Sequence, residues 1–257
     1  MKIKEENMRI QITLTSSESK RLIAKGVKAL PSVQKALVNK HIIVAGGTTN
    51  AFVLDELLKE SIDKKSRYTV GIIANGETGE TNVDDRIPPF VIENGKAMDR
   101  DFHWKEYLPK LESGDIFIKG GNAIDHTGLA AVLASNSMGG TIGMAWGPLM
   151  QRGIELIVPI GLEKMIPDVR EAVEFMAGHS VDDAIGDKVG LMPMLGAKVV
   201  TEITALEVLY QVKAKCIASG GACGSEGSVV LVVDGEEEQV KQAMEGIKSI
   251  KGEPKVQ

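Results

Sequence analysis

Short runs that are apolar at nearly every position constrain this chain most. "HIIVA" (41–45), "YTVGIIA" (68–74), the centre of "GDIFIKGG" (114–121) and "IELIVPI" (154–160) all have this character. A strand that alternates apolar and polar residues hides one face, whereas a strand without alternation must be covered on both. Helical spacing separates the runs: "KRLIAKGVKAL" and "PSVQKALVNK" before the first, "AFVLDELLKE" after it, "DVREAVEFMAG" after the last. Strands alternating with helices predict an α/β protein whose mainly parallel, Rossmann-like sheet carries helices on both faces.

The last sixty residues change pattern. "AKVVTE" reads as a strand, "ITALEVLYQV" as a helix, "KAKCIAS" and "SVVLVVDG" as strands around the turn "GGACGSEG", "EEEQVKQAMEGI" as a helix and "KSIKGEP" as a closing strand. That order is βαββαβ, a ferredoxin-like α+β unit. Two domains are therefore expected, 1–196 and 197–257, with the boundary at "MPMLG". The segment 74–112 is irregular, rich in turn residues and holding two adjacent prolines. A loop of that length predicts a hairpin or extended excursion over one end of the sheet.

The glycine turns at the ends of the runs carry the chemistry. A strand that enters a glycine turn and then a helix leaves free backbone N–H groups at the helix start, where the helix dipole favours an anion. "GGTTN" supplies Gly46, Gly47, Thr48, Thr49 and Asn50 as such a site; a helix cap accounts for one of these polar residues and not for the run. "KGGNAID" adds Lys119, Gly120, Gly121 and Asn122. Lys119 is the candidate catalytic cation, suited to binding an anion or stabilising an enolate, and Asp125 the candidate general base. "GGT", with Gly139, Gly140 and Thr141, repeats the turn, and Glu163 and Lys164 follow the last apolar run. Ligands of open parallel sheets bind beyond the carboxyl ends of the strands, so these segments are expected to share one cleft. The runs lack GxGxxG and GK[ST], so neither a dinucleotide nor a nucleoside triphosphate is implied, and no cofactor follows.

Composition narrows the partners. A formal charge of −5 without a long basic run argues against a general nucleic-acid binder. Aromatics at 4% argue against a stacking platform for single strands. The two cysteines, Cys216 and Cys223, do not make a disulfide framework, and Cys223 reads as part of a turn. The four histidines show no metal-ligand spacing, so no metal is expected. No apolar run approaches the roughly 18 residues of a membrane span, and the charged "MKIKEENMRI" lacks the core of a signal peptide. A cytoplasmic protein without a membrane partner is expected.

At these same residues the chain resembles the superfamily of glucosamine-phosphate isomerases, ribose-5-phosphate isomerase A and CoA transferases. "IIVAGGTTNAFVLDEL" is similar to the pentose isomerase's phosphate-holding strand, turn and helix. "DIFIKGGNAIDHTG" is similar to its strand ending in a Lys-Gly-Gly turn, which implies a catalytic role for Lys119. "LIVPIGLEKMIPDVREAVEFM" resembles the corresponding segment of the lactate-utilisation (LUD) domain family, which has the same fold. A ferredoxin-like domain also accompanies the pentose isomerase. The isomerase's Asp-Gly-Ala-Asp and Arg-Glu-Lys segments are absent, and Gly128 falls where its glutamate would be, which argues against pentose isomerisation. "IENGK" shares Glu-Asn-Gly with CoA transferases but lies in the irregular segment and is set aside.

The expectation is an enzyme for a small anionic, phosphorylated metabolite, working by isomerase-like or group-transfer chemistry. The alternatives are a non-catalytic ligand-binding or sensor protein of the same fold, and a subunit whose terminal unit mediates assembly. A homo-oligomer is expected, since antiparallel sheet edges readily pair.

Overall fold

A computed structural model describes residues 7–59, 62–99, 103–178 and 180–256. In chain order, β1 (Asn7–Leu14) leads through α1 (Ser16–Ala29) and α2 (Pro31–Asn39) to β2 (His41–Val44) and α3 (Thr48–Leu58). Next come β3 (Gly71–Ala74), β4 (Glu77–Glu80), β5 (Phe90–Glu93), β6 (Lys96–Ala97), the single-turn α4 (Trp104–Tyr107) and β7 (Ile116–Ile118). Then follow β8 (Ala123–Ile124), β9 (Ala130–Ala134), α5 (Gly140–Arg152), β10 (Glu155–Pro159) and α6 (Val169–Met176). The chain closes with β11 (Gly190–Pro193), β12 (Lys198–Val200), α7 (Glu202–Tyr210), β13 (Lys213–Gly220), β14 (Ser228–Glu236) and α8 (Glu237–Lys248).

The central sheet is mixed, in the order β12-β10-β7-β2-β5-β6. β12, β10, β7 and β2 run parallel, while β5 and β6 extend the sheet antiparallel beyond β2. The absence of alternation in its strands has the expected cause. Ile42, Val44, Ile116, Ile118 and Ile157 point into a core with α1, α2 and α3. Their neighbours Ile43, Phe117, Leu156 and Val158 point into a second core with α4 and α5. Burial of each large side chain contributes roughly 1.5–3 kcal/mol, so a three-residue strand such as β7 is held from both faces. Helix starts are specified locally. Thr15 and Glu18 form a reciprocal capping box on α1, and Pro31 opens α2.

Two expectations are corrected. "YTVGIIA" is not a buried strand of the central sheet. Tyr68 closes a short 3-10 turn, and Gly71–Ala74 pairs with β4, in an exposed hairpin. Asn75 and Gly76, with φ of 55° and 81°, make its two-residue turn, the geometry that Asn-Gly favours between twisted strands. Asn94 and Gly95 do the same between β5 and β6, so "IENGK" is a hairpin turn and Glu93 pairs with His41.

The expected ferredoxin-like order is also replaced. "KVV" of β12 joins the central sheet beside β10. "KSIKGEP" is not a strand: Lys248 ends the α8 helix and 249–252 form a turn. The terminal sheet has three antiparallel strands in the order β1-β14-β13, and its third strand comes from the opposite end of the chain. Ile12, Leu14, Val229, Leu231 and Val233 pack there against Val240, Ala243 and Ile247 of α8. A small sheet, β11-β9-β8, lies to the side. Among the described residues no helix is long and apolar enough to cross a membrane, and no cluster of His, Cys, Asp or Glu could hold a metal ion.

Candidate functional site

The turn after β2, the turn after β7 and the start of α5 meet around one cleft of about 280 Å³. Gly46, Gly47, Thr48 and Thr49 form one wall, Lys119, Gly120, Gly121 and Asn122 another, and Gly139, Gly140 and Thr141 a third. Lys164 enters from the turn after β10. The third wall arrives by a different route from that expected. Its glycines follow β9 of the side sheet, not a strand of the central sheet.

Two helices open onto this cleft without a side-chain cap. The first intrahelical bond of α3 runs from Ala51 N–H to Gly47 O at 3.0 Å. The N–H groups of Thr48 and Thr49 precede it. In α5 the bond from Gly143 N–H to Gly139 O, 3.0 Å, leaves those of Gly140 and Thr141 ahead of it. Such groups have no partner within their own helix and sit at the positive end of its dipole. The backbone requires glycine at the α5 start. Gly139 and Gly140 have φ of 74° and 61°, and a Cβ on Gly139 would lie 2.5 Å from the Met192 sulfur.

The two lysines stand on successive carbonyls of one turn. Lys119 Nζ donates to Gly120 O at 3.2 Å, and Lys164 Nζ donates to Gly121 O at 2.8 Å. Among the described residues neither ammonium has a carboxylate at ion-pair distance. Burial, and then the neighbouring Lys164 charge, push the Lys119 amine down to about 8. Burial also lowers Lys164; Glu163 and Glu202 oppose the shift, whereas Lys20 adds to it. Both shifts report first the burial of an ammonium, to which the Lys164 charge adds at Lys119.

A hairpin roofs the cleft. Ile72 and Ile73 of β3, with Thr78, Gly79 and Glu80 of β4, line it opposite Val132, Leu133 and Ala134 of β9. Thr78 ties the hairpin to the loop before β11, donating to Asp187 O at 2.8 Å and accepting from Asp187 N–H through its carbonyl at 2.7 Å. Glu80 accepts from Ser135 at 2.7 Å and pairs with Arg86 at 3.1 Å, and these partners hold its carboxyl below the usual range. Hairpin residues were not among the expected site residues, although the Asn75–Gly76 pair signals such a hairpin in the sequence.

Three expected site residues lie elsewhere. Asp125 is 3% exposed and accepts from Thr127 N–H (2.8 Å), the Thr127 hydroxyl (2.5 Å), Leu129 N–H (3.2 Å) and Val169 N–H (3.0 Å). Burial alone would raise its carboxyl, but these donors outweigh it and hold the group below its ordinary value. A carboxylate so engaged is a poor base. It staples its own loop to the start of α6.

Asn50 turns inward from α3, donating to Ala45 O at 2.7 Å and Ile118 O at 3.4 Å, and so joins the ends of β2 and β7. Glu163 faces away from the cleft toward Lys20 of α1, 3.5 Å from its Nζ. Glu163 and Lys164 sit in one 3-10 turn, Leu162–Lys164, where successive side chains diverge by about 120°. Asn122 stays at the cleft, its side-chain oxygen accepting from Leu133 N–H at 3.1 Å. No family model, curated protein or solved structure matches this chain.

Proposed function

We propose that the chain is an enzyme for a small anionic, phosphorylated metabolite, with the anion held between the starts of α3 and α5 and Lys119 meeting the reacting group. One observation carries the reading. Among the described residues, two uncapped helix starts and two lysines with no carboxylate at ion-pair distance converge on a single cleft. Four cationic or partly cationic elements gathered at one cleft repel one another and are favourable around an anion. The volume suits a small molecule, and Ile72, Val132 and Leu133 offer its uncharged part an apolar wall. The motifs at β2 and β7 support kinship with the superfamily of sugar-phosphate isomerases and CoA transferases, and a Rossmann-like description of the central sheet goes with that kinship.

A second reading, a ligand sensor without catalysis, is favoured by Asp125. Its engagement in the fold leaves the cleft without the expected carboxylate base. A thermal-shift screen against inorganic phosphate, sugar phosphates, CoA esters, nucleotides and folates tests both. A ligand present at a hundred times its Kd stabilises by about 2.7 kcal/mol. The expected result is a shift with phosphorylated compounds that Lys119→Ala and Lys164→Ala each diminish. Shifts that survive in both variants would defeat the proposal, and tight binding without turnover of any bound compound would favour the sensor.

A further inference from the structure

We propose that Lys119 is a nucleophile, forming an imine with the carbonyl carbon of an aldehyde or ketone that also carries a phosphate or carboxylate. This rests on the anion-cleft reading above and adds the identity of the reacting group.

The surroundings of Lys119 are those of a reactive amine. Among the described residues its Nζ donates only to the carbonyl of the next residue, Gly120 O, at 3.2 Å, and no carboxylate pins it. Lys164 stands on the adjacent carbonyl, and the charge there, after burial, brings the Lys119 amine down to about 8. Desolvation beside a second cation is how a lysine comes to expose its lone pair near neutral pH. Among the described residues the other titratable groups of the cleft are Lys164 and Glu80, and Glu80 is engaged by Ser135 and Arg86. α3 and α5 present only Thr48, Thr49 and Thr141 to the cleft as polar side chains, while Glu163, Lys20 and Glu202 lie behind Lys164. An imine lowers the strength of base that a later step requires, because C=N⁺ withdraws electrons from the neighbouring carbon.

The step balances without an oxidant or reductant. The lone pair of neutral Nζ adds to the carbonyl carbon, the C–O π pair moves to oxygen, and one proton passes from nitrogen to oxygen. The carbinolamine then expels its hydroxyl with a proton as water while the nitrogen lone pair forms C=N. Amine and carbonyl become imine and water.

Reductive trapping tests this. The intact protein is incubated with glycolaldehyde phosphate or glyoxylate and sodium cyanoborohydride, with uncharged glycolaldehyde as control, and adducts are located by peptide mass spectrometry. At pH 7.5 an amine at about 8 is roughly one quarter neutral, against about one thousandth for an ordinary lysine at 10.5. Labelling at Lys119 should therefore outpace exposed lysines by on the order of a hundredfold. It should be faster with the charged aldehydes, suppressed by inorganic phosphate and absent in Lys119→Arg, which keeps the charge. At saturating probe, Lys164→Gln should move the pH midpoint of trapping upward from about 8, because it removes the neighbouring charge. That shift distinguishes a tuned nucleophile from a structural lysine. Labelling spread over surface lysines, or a Lys119 midpoint near that of a free lysine, overturns the proposal. Phosphate stabilisation of the fold without a Lys119 adduct overturns the imine and leaves the anion cleft standing. No stabilisation by any anionic probe overturns both.

Discussion

Replacing Glu202 by Gln should make the protein more stable at pH 8 and leave it nearly unchanged at pH 4.5. Glu202 is the first residue of α7, is fully buried, and receives the Leu162 N–H on both carboxylate oxygens at 3.3 and 3.0 Å. Burial, and then the nearby Glu163 carboxylate, push its carboxyl up to about 7. Between about 4.5 and 7 the folded protein holds a proton that the unfolded chain has released, so this group makes stability fall as pH rises through that window. Above the window the fold carries a buried anion at a penalty of roughly 3 kcal/mol. The dipole of α7 opposes part of that penalty, by up to about 1 kcal/mol. Gln keeps the shape and one oxygen for Leu162 N–H while removing the charge. The variant should lie within about 1 kcal/mol of the parent at pH 4.5 and gain about 2–3 kcal/mol at pH 8. Urea midpoints at matched slope, taken across that range, measure the difference. Parallel pH curves for the two proteins would refute the reasoning, because Glu202 would then ionise in the fold as it does in the unfolded chain.

Asp125→Asn should destabilise by about 2–3 kcal/mol, since its amide would face the Val169 N–H it now accepts, while phosphate-induced stabilisation is unchanged. The Asp125 carboxyl is held below its ordinary value, so the stability it contributes is present above about pH 4 and is lost as pH falls toward the folded value. Acid unfolding of the variant, followed by circular dichroism, should lack that component. Gly186→Ala should loosen the roof of the cleft. Gly186 has φ of 86°, and an added Cβ would lie 2.1 Å from Thr78 O, so hydrogen exchange at 71–80 should accelerate by about tenfold. Gly26→Ala should cost about 1–3 kcal/mol, read from the urea midpoint, because its Cβ would meet Ala205 Cβ at 2.6 Å where α1 crosses α7.

The residues that were legible in the sequence are those whose structure is decided by near neighbours. Ile116, Phe117 and Ile118 lack alternation because both faces are covered, and any chain with that pattern needs two layers around it. Gly139 and Gly140 were legible because a helix entered through left-handed backbone needs glycine whatever lies beyond. Partner choice was not legible. "KVV" of β12 is equally suited to either sheet, and only the crossover from β10 assigns it to the central one. β1 was hidden because it begins within the charged "MKIKEENMRI", although Met8, Ile10, Ile12 and Leu14 alternate as a half-buried strand should. For the site, the lysines and turns line one cleft, but the uses of Asp125 and Glu163 depended on α6 and α1, which approach only in three dimensions.

The pairing of β1 with β14, from Asn7 opposite Glu236 to Leu14 opposite Val229, joins segments from nearly opposite ends of the described chain. Contacts so remote in sequence form late, since a long loop must close before any of them is rewarded. During synthesis the central sheet is complete at Val200, whereas β1 waits unpaired until β14 has emerged. Leu162 belongs to the core beneath that last sheet, and Lys164 lies two residues on. A nascent or truncated chain therefore holds the α3 turn and Lys119 before the core beneath Leu162, next to the second ammonium, is complete. Full affinity for an anion should arrive only with closure of the β1–β14 clasp, which makes ligand binding a reporter of the final folding step.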